Sequence, residues 1–378
     1  MKNKRGFRCT VLALIVPLLS PALAAGPEIA PVKGVEEVEP KPETGIKTTA
    51  DWVFMPIPIS NPSIGTGLAL TALHLFPFGG STQPSLIGAG AAVTSNGTWI
   101  AGAGTQLRFK EDLWRVTFGA GVADVHYDFY GIGETAGDIG ASVPVATRTN
   151  AMFGSVLRRI GAGFYGGAGM RYAGTETSLD TDLPPGPMYD LLSSELNVDT
   201  VGVSLIGQYD TRDSSFSPGS GSFASLTLYR FDEALGSDLE YELLDAQWNK
   251  YFGIGRYGVI AGRMSACSAS DGAPFFDLCQ FGQKKDLRGY VSGRYRDHAM
   301  YAAQVEYRTP FFHRFGGVFF AGFGQVAPDW GKFDSDVLSS AGAGLRYLAS
   351  EKHKVTASID YSRVKGEDAW YFYIGDAF

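Results

Sequence analysis

The chain has 378 residues, 45% of them hydrophobic, with 32 basic against 39 acidic side chains and a formal charge of −7. That balance excludes a nucleic-acid surface, which needs a basic excess. Glycine occurs 49 times and aromatics reach 13%. A membrane barrel uses both, with small residues where backbones crowd and aromatic girdles at the two interfaces.

Lys2, Lys4, Arg5 and Arg8 form a positive segment, residues 11–19 are apolar, and Ala22-Leu23-Ala24 is a small-x-small cleavage site. Residues 1–24 are therefore expected to be a signal peptide. The apolar stretch is too short for a spanning helix, and Cys9 precedes it, which speaks against a lipoprotein. Residues 25–50 are rich in Pro and Glu (Pro27, Pro31, Glu36, Glu37, Glu39, Pro40, Pro42, Glu43). Such a composition cannot bury a core and is expected to form a flexible periplasmic tether.

From residue 51 onward no helical period emerges, and period two takes its place. The predicted strands are 52–59, 64–76, 84–95, 98–110, 112–128, 146–160, 163–178, 198–212, 221–232, 239–252, 256–268, 299–311, 315–326, 338–349, 354–363 and 368–378. Residues 114–121 set Trp114, Val116, Phe118 and Ala120 against Arg115, Thr117, Gly119 and Gly121. Residues 301–308 set Tyr301, Ala303, Val305 and Tyr307 against Ala302, Gln304, Glu306 and Arg308. Residues 355–362 set Val355, Ala357, Ile359 and Tyr361 against Thr356, Ser358, Asp360 and Ser362. A soluble sandwich alternates in the same way, so the connections decide. Long ones follow the fifth, seventh and eleventh strands (129–145, 179–197, 269–298), and very short ones follow the fourth, sixth, tenth and twelfth. An even strand number with long loops on one side and tight turns on the other is the pattern of an outer-membrane barrel with both termini in the periplasm. The expected fold is all-β: a transmembrane antiparallel barrel of sixteen strands over residues 51–378. The first strand carries Pro56 and Pro58 and is short; if its outer edge faces the last strand, the closing seam loses hydrogen bonds.

Other signals are set aside. Residues 253–258 fit G-x-G-x-x-G but open no helix, so no phosphate loop is expected. Asn96-Gly97 between two strands is a hairpin turn. The five histidines show no metal spacing. There is no G-x-S-x-G or H-E-x-x-H, so neither enzyme activity, metal nor cofactor is expected. Cys267 and Cys279 flank Asp271-Gly272 in a predicted surface loop, and in an exported protein this pair is expected to be bridged.

Four stretches resemble the BamA/TamA-type barrel family, the bacterial surface antigens. They are Asp286-Leu287-Arg288-Gly289-Tyr290 followed by Gly293-Arg294-Tyr295-Arg296-Asp297; Tyr209-Asp210-Thr211-Arg212-Asp213 with Pro218 and Gly219; Phe320-Ala321-Gly322-Phe323-Gly324; and a closing strand that ends on Phe378, the expected insertion signal. The resemblance covers about residues 51–378. It implies that the loop carrying Arg288, Gly289, Tyr290 and Arg294 folds into the lumen and docks on Glu306, Phe320, Gly322 and Gly324. Many family members place an aspartate where this chain has Gly322, which predicts a weaker clamp on Arg288. The alternative is that Arg288 and Arg294 are solvated loop charges. Asp376 departs from the apolar choice usual two residues before the end. Family members that assemble other barrels carry polypeptide-transport domains before the barrel, and this chain has only the tether. The implied role is outer-membrane assembly or translocation of protein or lipid. The implied partners are outer-membrane lipid, the barrel-assembly machinery during biogenesis and client proteins. A passive pore or structural surface antigen stands as the alternative.

Overall fold

A computed structural model of the chain describes residues 51–378 apart from 62, 82–84, 180–185, 187–196, 215–216, 283–285, 351–354 and 365–366. The expected signal peptide and tether lie outside the described residues. Sixteen strands form one sheet: β1 (Asp51–Asn61), β2 (Gly65–Phe76), β3 (Ser85–Thr94), β4 (Trp99–Phe109), β5 (Trp114–Phe129), β6 (Val143–Gly161), β7 (Phe164–Leu179), β8 (Asn197–Asp210), β9 (Gly221–Phe231), β10 (Tyr241–Gly253), β11 (Val259–Ala269), β12 (Ala299–Arg308), β13 (Phe315–Ala327), β14 (Leu338–Ser350), β15 (Val355–Val364) and β16 (Glu367–Ile374). Each strand pairs antiparallel with the next along the chain. β1 and β16 lie side by side, yet no ladder joins them among the described residues. The barrel is therefore closed by contact at one seam and by hydrogen bonds everywhere else.

The faces are inverted relative to a soluble sandwich. On β12 the polar residues Gln304, Glu306 and Arg308 are buried, whereas Val305 is 52% exposed. On β15 Thr356, Ser358, Asp360 and Ser362 are buried, and Ile359 is exposed. Phe54, Leu70, Phe118, Leu205, Phe319 and Leu345 all point outward into open surface. Leaving one such side chain in water forgoes about 1.5–3 kcal/mol. A belt of them is stable only against hydrocarbon, so the outer wall is a lipid-facing surface.

Several expectations are corrected. β1 is not short: it runs 11 residues and extends the predicted span at both ends. The loop after β5 holds a six-residue helix, α1 (Glu134–Ile139), and β6 begins at Val143, three residues before the prediction. Six residues are too few to show a helical period, so periodicity passes over α1. The last strand ends at Ile374 and does not run to 378. Gly375 turns the chain there with φ 81°, a conformation that residues with a Cβ rarely adopt.

Candidate functional site

The connection between β11 and β12, residues 270–298, folds into the lumen. Six of its apolar side chains (Phe275, Leu278, Phe281, Leu287, Tyr290, Tyr295) are buried. Cys267 and Cys279 are joined by a disulfide with Cα atoms 5.6 Å apart. Cys267 belongs to β11 and is buried, so the bridge ties the loop to the wall and is not a surface feature. A two-residue ladder pairs Cys279–Gln280 with Arg296–Asp297. On the opposite side Asp277 receives Arg171 of β7 and the Tyr241 hydroxyl of β10, the latter at 2.5 Å.

Arg288 sits at the tip, 1% exposed. Its Nη2 donates to Glu306 Oε2 at 2.6 Å, its Nη1 to Asp360 Oδ2 at 2.6 Å and its Nε to Gln304 Oε1 at 3.1 Å. Its guanidinium lies 3.5 Å from the centre of the Phe320 ring. Burial would lower its pKa, but the charge of Glu306, the Tyr373 hydroxyl and Asp360 raise it above the ordinary arginine value. The cation is therefore permanent. Lack of an acid at Gly322 does not weaken the clamp, because Asp360 on β15 supplies the second carboxylate. Gly322 and Gly324 serve as floor instead. A Cβ on Gly322 would meet Leu287 Cδ1 at 3.0 Å, and one on Gly324 would meet Phe281 Cε1 at 2.9 Å. Gly289 has φ 121°, and a Cβ there would lie 2.5 Å from Val364 Cγ1. Only glycine lets the backbone pass so close.

The carboxylates continue past Arg288. Glu306 Oε1 accepts from Arg308 Nε at 2.7 Å. Arg308 Nη1 reaches Asp376 Oδ2 at 3.0 Å. Asp376 Oδ1 accepts from Arg346 Nε at 3.2 Å, and Arg346 Nη1 donates to Asp360 Oδ1 at 2.5 Å. The result is a closed ring of six alternating charges: Arg288, Glu306, Arg308, Asp376, Arg346, Asp360. Each carboxylate uses both oxygens, so no buried charge in the ring lacks a counter-charge. This accounts for Asp376, which faces inward beyond the Gly375 turn. Phe378 turns inward with it, and its main-chain carboxylate oxygen accepts from Arg308 Nη2 at 2.5 Å. Arg308 also donates to Pro218 O at 3.1 Å, which brings the turn between β8 and β9 under the ring.

The seam strand is held from inside by the same assembly. Gly289 N donates to the Tyr371 hydroxyl at 2.8 Å, and Arg346 Nη2 to the Tyr373 hydroxyl at 2.9 Å; both tyrosines are on β16. Burial pushes the Tyr290 hydroxyl up to about 12, and it remains a donor to Ser339 O at 2.8 Å. Arg294 does not join the clamp. It turns to α1, where its Nε donates to Gly137 O at 2.9 Å, beside Tyr295, whose hydroxyl donates to Asp138 Oδ1. The reading from residues missed Asp360, Arg346, Arg308 and Gln304. Their signal was present as charges and amides on the polar face of alternating strands, where each needs a partner.

The orientation of the two prolines follows from the ladder. Ser95 N donates to Thr66 O at 2.7 Å, so even-numbered residues of β2 bond to β3 and odd-numbered ones to β1. In β1 the bonded partners are then Met55 (with Thr71), Ile57 (with Ala69) and Ile59 (with Gly67). Pro56 and Pro58 alternate with these, and their nitrogens point to the seam.

The Omp85 superfamily domain profile matches residues 90–378. The fold is similar to BamA from Haemophilus ducreyi lacking POTRA domains 1–3, with TM-score 0.56 and 15% identity over 86% of this chain and 69% of that one. It is also similar to CdiB from Acinetobacter baumannii (TM-score 0.57, 11% identity) and CdiB from Escherichia coli (TM-score 0.57, 12% identity), each over 93% of this chain and 66% of theirs. The chain thus spans about two thirds of each of these structures. No curated protein sequence matches it.

Proposed function

Because the chain belongs to the Omp85 superfamily, we propose that it is an outer-membrane barrel that opens at the β1–β16 seam to insert or pass a client polypeptide or lipid. The observation that carries this reading is the seam itself. Pro56 and Pro58 remove two donors from the β1 edge, and no ladder joins that edge to β16 among the described residues. Each missing bond is worth about 1 kcal/mol net in water, and an unsatisfied group facing hydrocarbon costs more. A passive pore needs only a stable wall and gains nothing from such a seam. The turn end of the barrel then faces the periplasm, and residues 1–24 and 25–50 serve as signal peptide and tether. The barrel-assembly machinery acts during biogenesis, and the role is not catalytic.

A pair of cysteines engineered face to face on β1 and β16 tests the reading. Oxidation should abolish assembly or secretion in cells and leave solute leakage unchanged, and reduction should restore it. A locked seam that changes no cellular phenotype, in a strain whose leakage needs the barrel, would establish the pore instead.

A further inference from the structure

The outer wall from β10 to β14 carries, at its turn end, a chemistry that the seam does not explain. On β10 Trp248 and Phe252 are exposed, whereas Asn249 and Tyr251 are buried. Lys250 alternates with the buried pair and so stands on the lipid side. Its Nζ lies 5.2 Å from the Phe252 ring centre. In the turn that follows, Arg256 Cζ lies 5.0 Å from the Tyr257 ring centre, and its Nη2 donates to the Tyr257 hydroxyl at 2.8 Å. The turn between β12 and β13 lies alongside. The hydroxyl of Tyr307, on the outward face of β12, donates to Tyr257 O at 2.7 Å. That turn presents Phe311, Phe312 and Phe315, all exposed, around His313 and Arg314. The Phe315 ring in turn lies 5.3 Å from Tyr347 of β14. The aromatic surface is therefore continuous across these strands.

Its charges have one sign. Residues 248–262 and 307–320 contain Lys250, Arg256, Arg308 and Arg314 and no Asp or Glu. Arg308 belongs to the inner ring, which leaves Lys250, Arg256 and Arg314 for the rim. The far end of the same wall is acidic instead: Arg230 of β9 meets Asp232, Glu240 and Glu242 there. The rim beside the seam is equally aromatic, with Trp52, Phe54 and Phe78 exposed, but residues 52–78 hold no Lys, Arg, Asp or Glu. Aromatic rings alone suit any headgroup region; the cations narrow the choice. A zwitterionic phospholipid brings an ammonium beside its phosphate, and these two turns offer that ammonium no carboxylate. A net anionic phospholipid brings the phosphate alone, which guanidinium and ammonium groups bind through charge-assisted hydrogen bonds. We infer that the rim from β10 to β14 binds an anionic glycerophospholipid of the phosphatidylglycerol type, with its phosphodiester at Lys250, Arg256 and Arg314 and its acyl chains along Trp248, Phe252 and Phe315. That the lipid comes from the periplasmic leaflet rests on the orientation proposed above; the selectivity does not.

The test uses the full barrel reconstituted in phosphatidylcholine vesicles with a trace of spin-labelled phosphatidylglycerol or spin-labelled phosphatidylcholine. The readout is the ratio in which the barrel immobilises the two labels. Wild type should prefer phosphatidylglycerol several-fold at low salt, and the preference should fall as salt screens the exposed cations. The triple variant Lys250→Gln, Arg256→Gln, Arg314→Gln should bring the ratio close to unity. Arg230→Gln, at the acidic end, should keep the wild-type ratio. Each variant is compared as folded barrel, which runs faster unheated than boiled. If the triple variant does not fold, Arg256→Gln alone should lower the ratio, and an unchanged ratio counts against the site. Equal immobilisation of both labels by wild type would overturn the inference and leave the exposed aromatics to a protein partner. A preference that survives the triple substitution, or that Arg230→Gln removes equally, would overturn it as well. None of these outcomes depends on opening of the seam, so failure here leaves that reading standing.

Discussion

Arg288 makes its contacts in a place water does not reach, so its removal is not a surface event. Replacing it with alanine leaves Glu306 with Arg308 alone and Asp360 with Arg346 alone, and breaking a buried pair from one side costs up to about 3–5 kcal/mol. Arg288→Ala should therefore unfold in urea at clearly lower denaturant than the parent. Lysine should not rescue it, because one ammonium cannot fork between two carboxylates and an amide. Glu306→Gln should act through the same contact. The double variant should be less damaged than the sum, with a coupling above about 0.5 kcal/mol; strict additivity would mean that the two do not share an interaction. A second buried group lies in the turn between β4 and β5. Burial alone would raise the Asp112 carboxyl, but the hydrogen bond and charge of Arg115, with Arg108 and the Tyr165 hydroxyl, hold it below its ordinary 3.8. The folded carboxyl is thus more acidic than the unfolded one. Its contribution is fully present above the ordinary value and is lost as pH falls through the lower folded one. Asp112→Asn should flatten the acid end of the stability curve and leave its slope near neutrality unchanged, as urea melts across pH would show.

At the scale of elements, the disulfide joins β11 to the lumenal loop across 12 residues. Closing a loop near that size restrains the unfolded chain by about 3 kcal/mol. Alkylation of the native protein without reductant should label neither Cys267 nor Cys279. Reduction should expose the 270–298 segment to protease before the wall yields, and labelling of either cysteine beforehand would contradict the bridge. The sixteen strands were legible because each wall residue meets one of two opposite surroundings, which writes period two directly into the chain. The long lumenal loop was legible from its length and from the Arg-Gly-Tyr stretch. The Gly375 turn was not read, although Asp376 is out of step with Tyr371 and Tyr373 and would face lipid in a continued strand, the one sign of a break that the alternation carries. The alliance of Arg294 with α1 was hidden for another reason. Gly137 offers a backbone carbonyl 157 residues away, and backbone acceptors leave no mark on sequence.

The described wall presents a belt of apolar side chains outward and encloses a ring of buried charges, so it should behave as a membrane wall. It should fractionate with outer membranes and run faster on a detergent gel unheated than boiled, since a barrel whose backbone groups are nearly all paired resists opening by detergent alone. Recovery from the soluble periplasm would contradict the inverted faces described above.

The charge ring also bears on the order in which the barrel is made. All six members come from residues 288–376, and β1 to β10 contribute none. The circuit can therefore close as soon as the last six strands and the loop have met, before the first strands are in place. Asp376 is its final link along the chain. Without that residue Arg308 keeps only Glu306 and Arg346 only Asp360, so the circuit opens into a chain of five charges. The ring is complete only with Asp376 in place, just past β16, the strand that lines the seam.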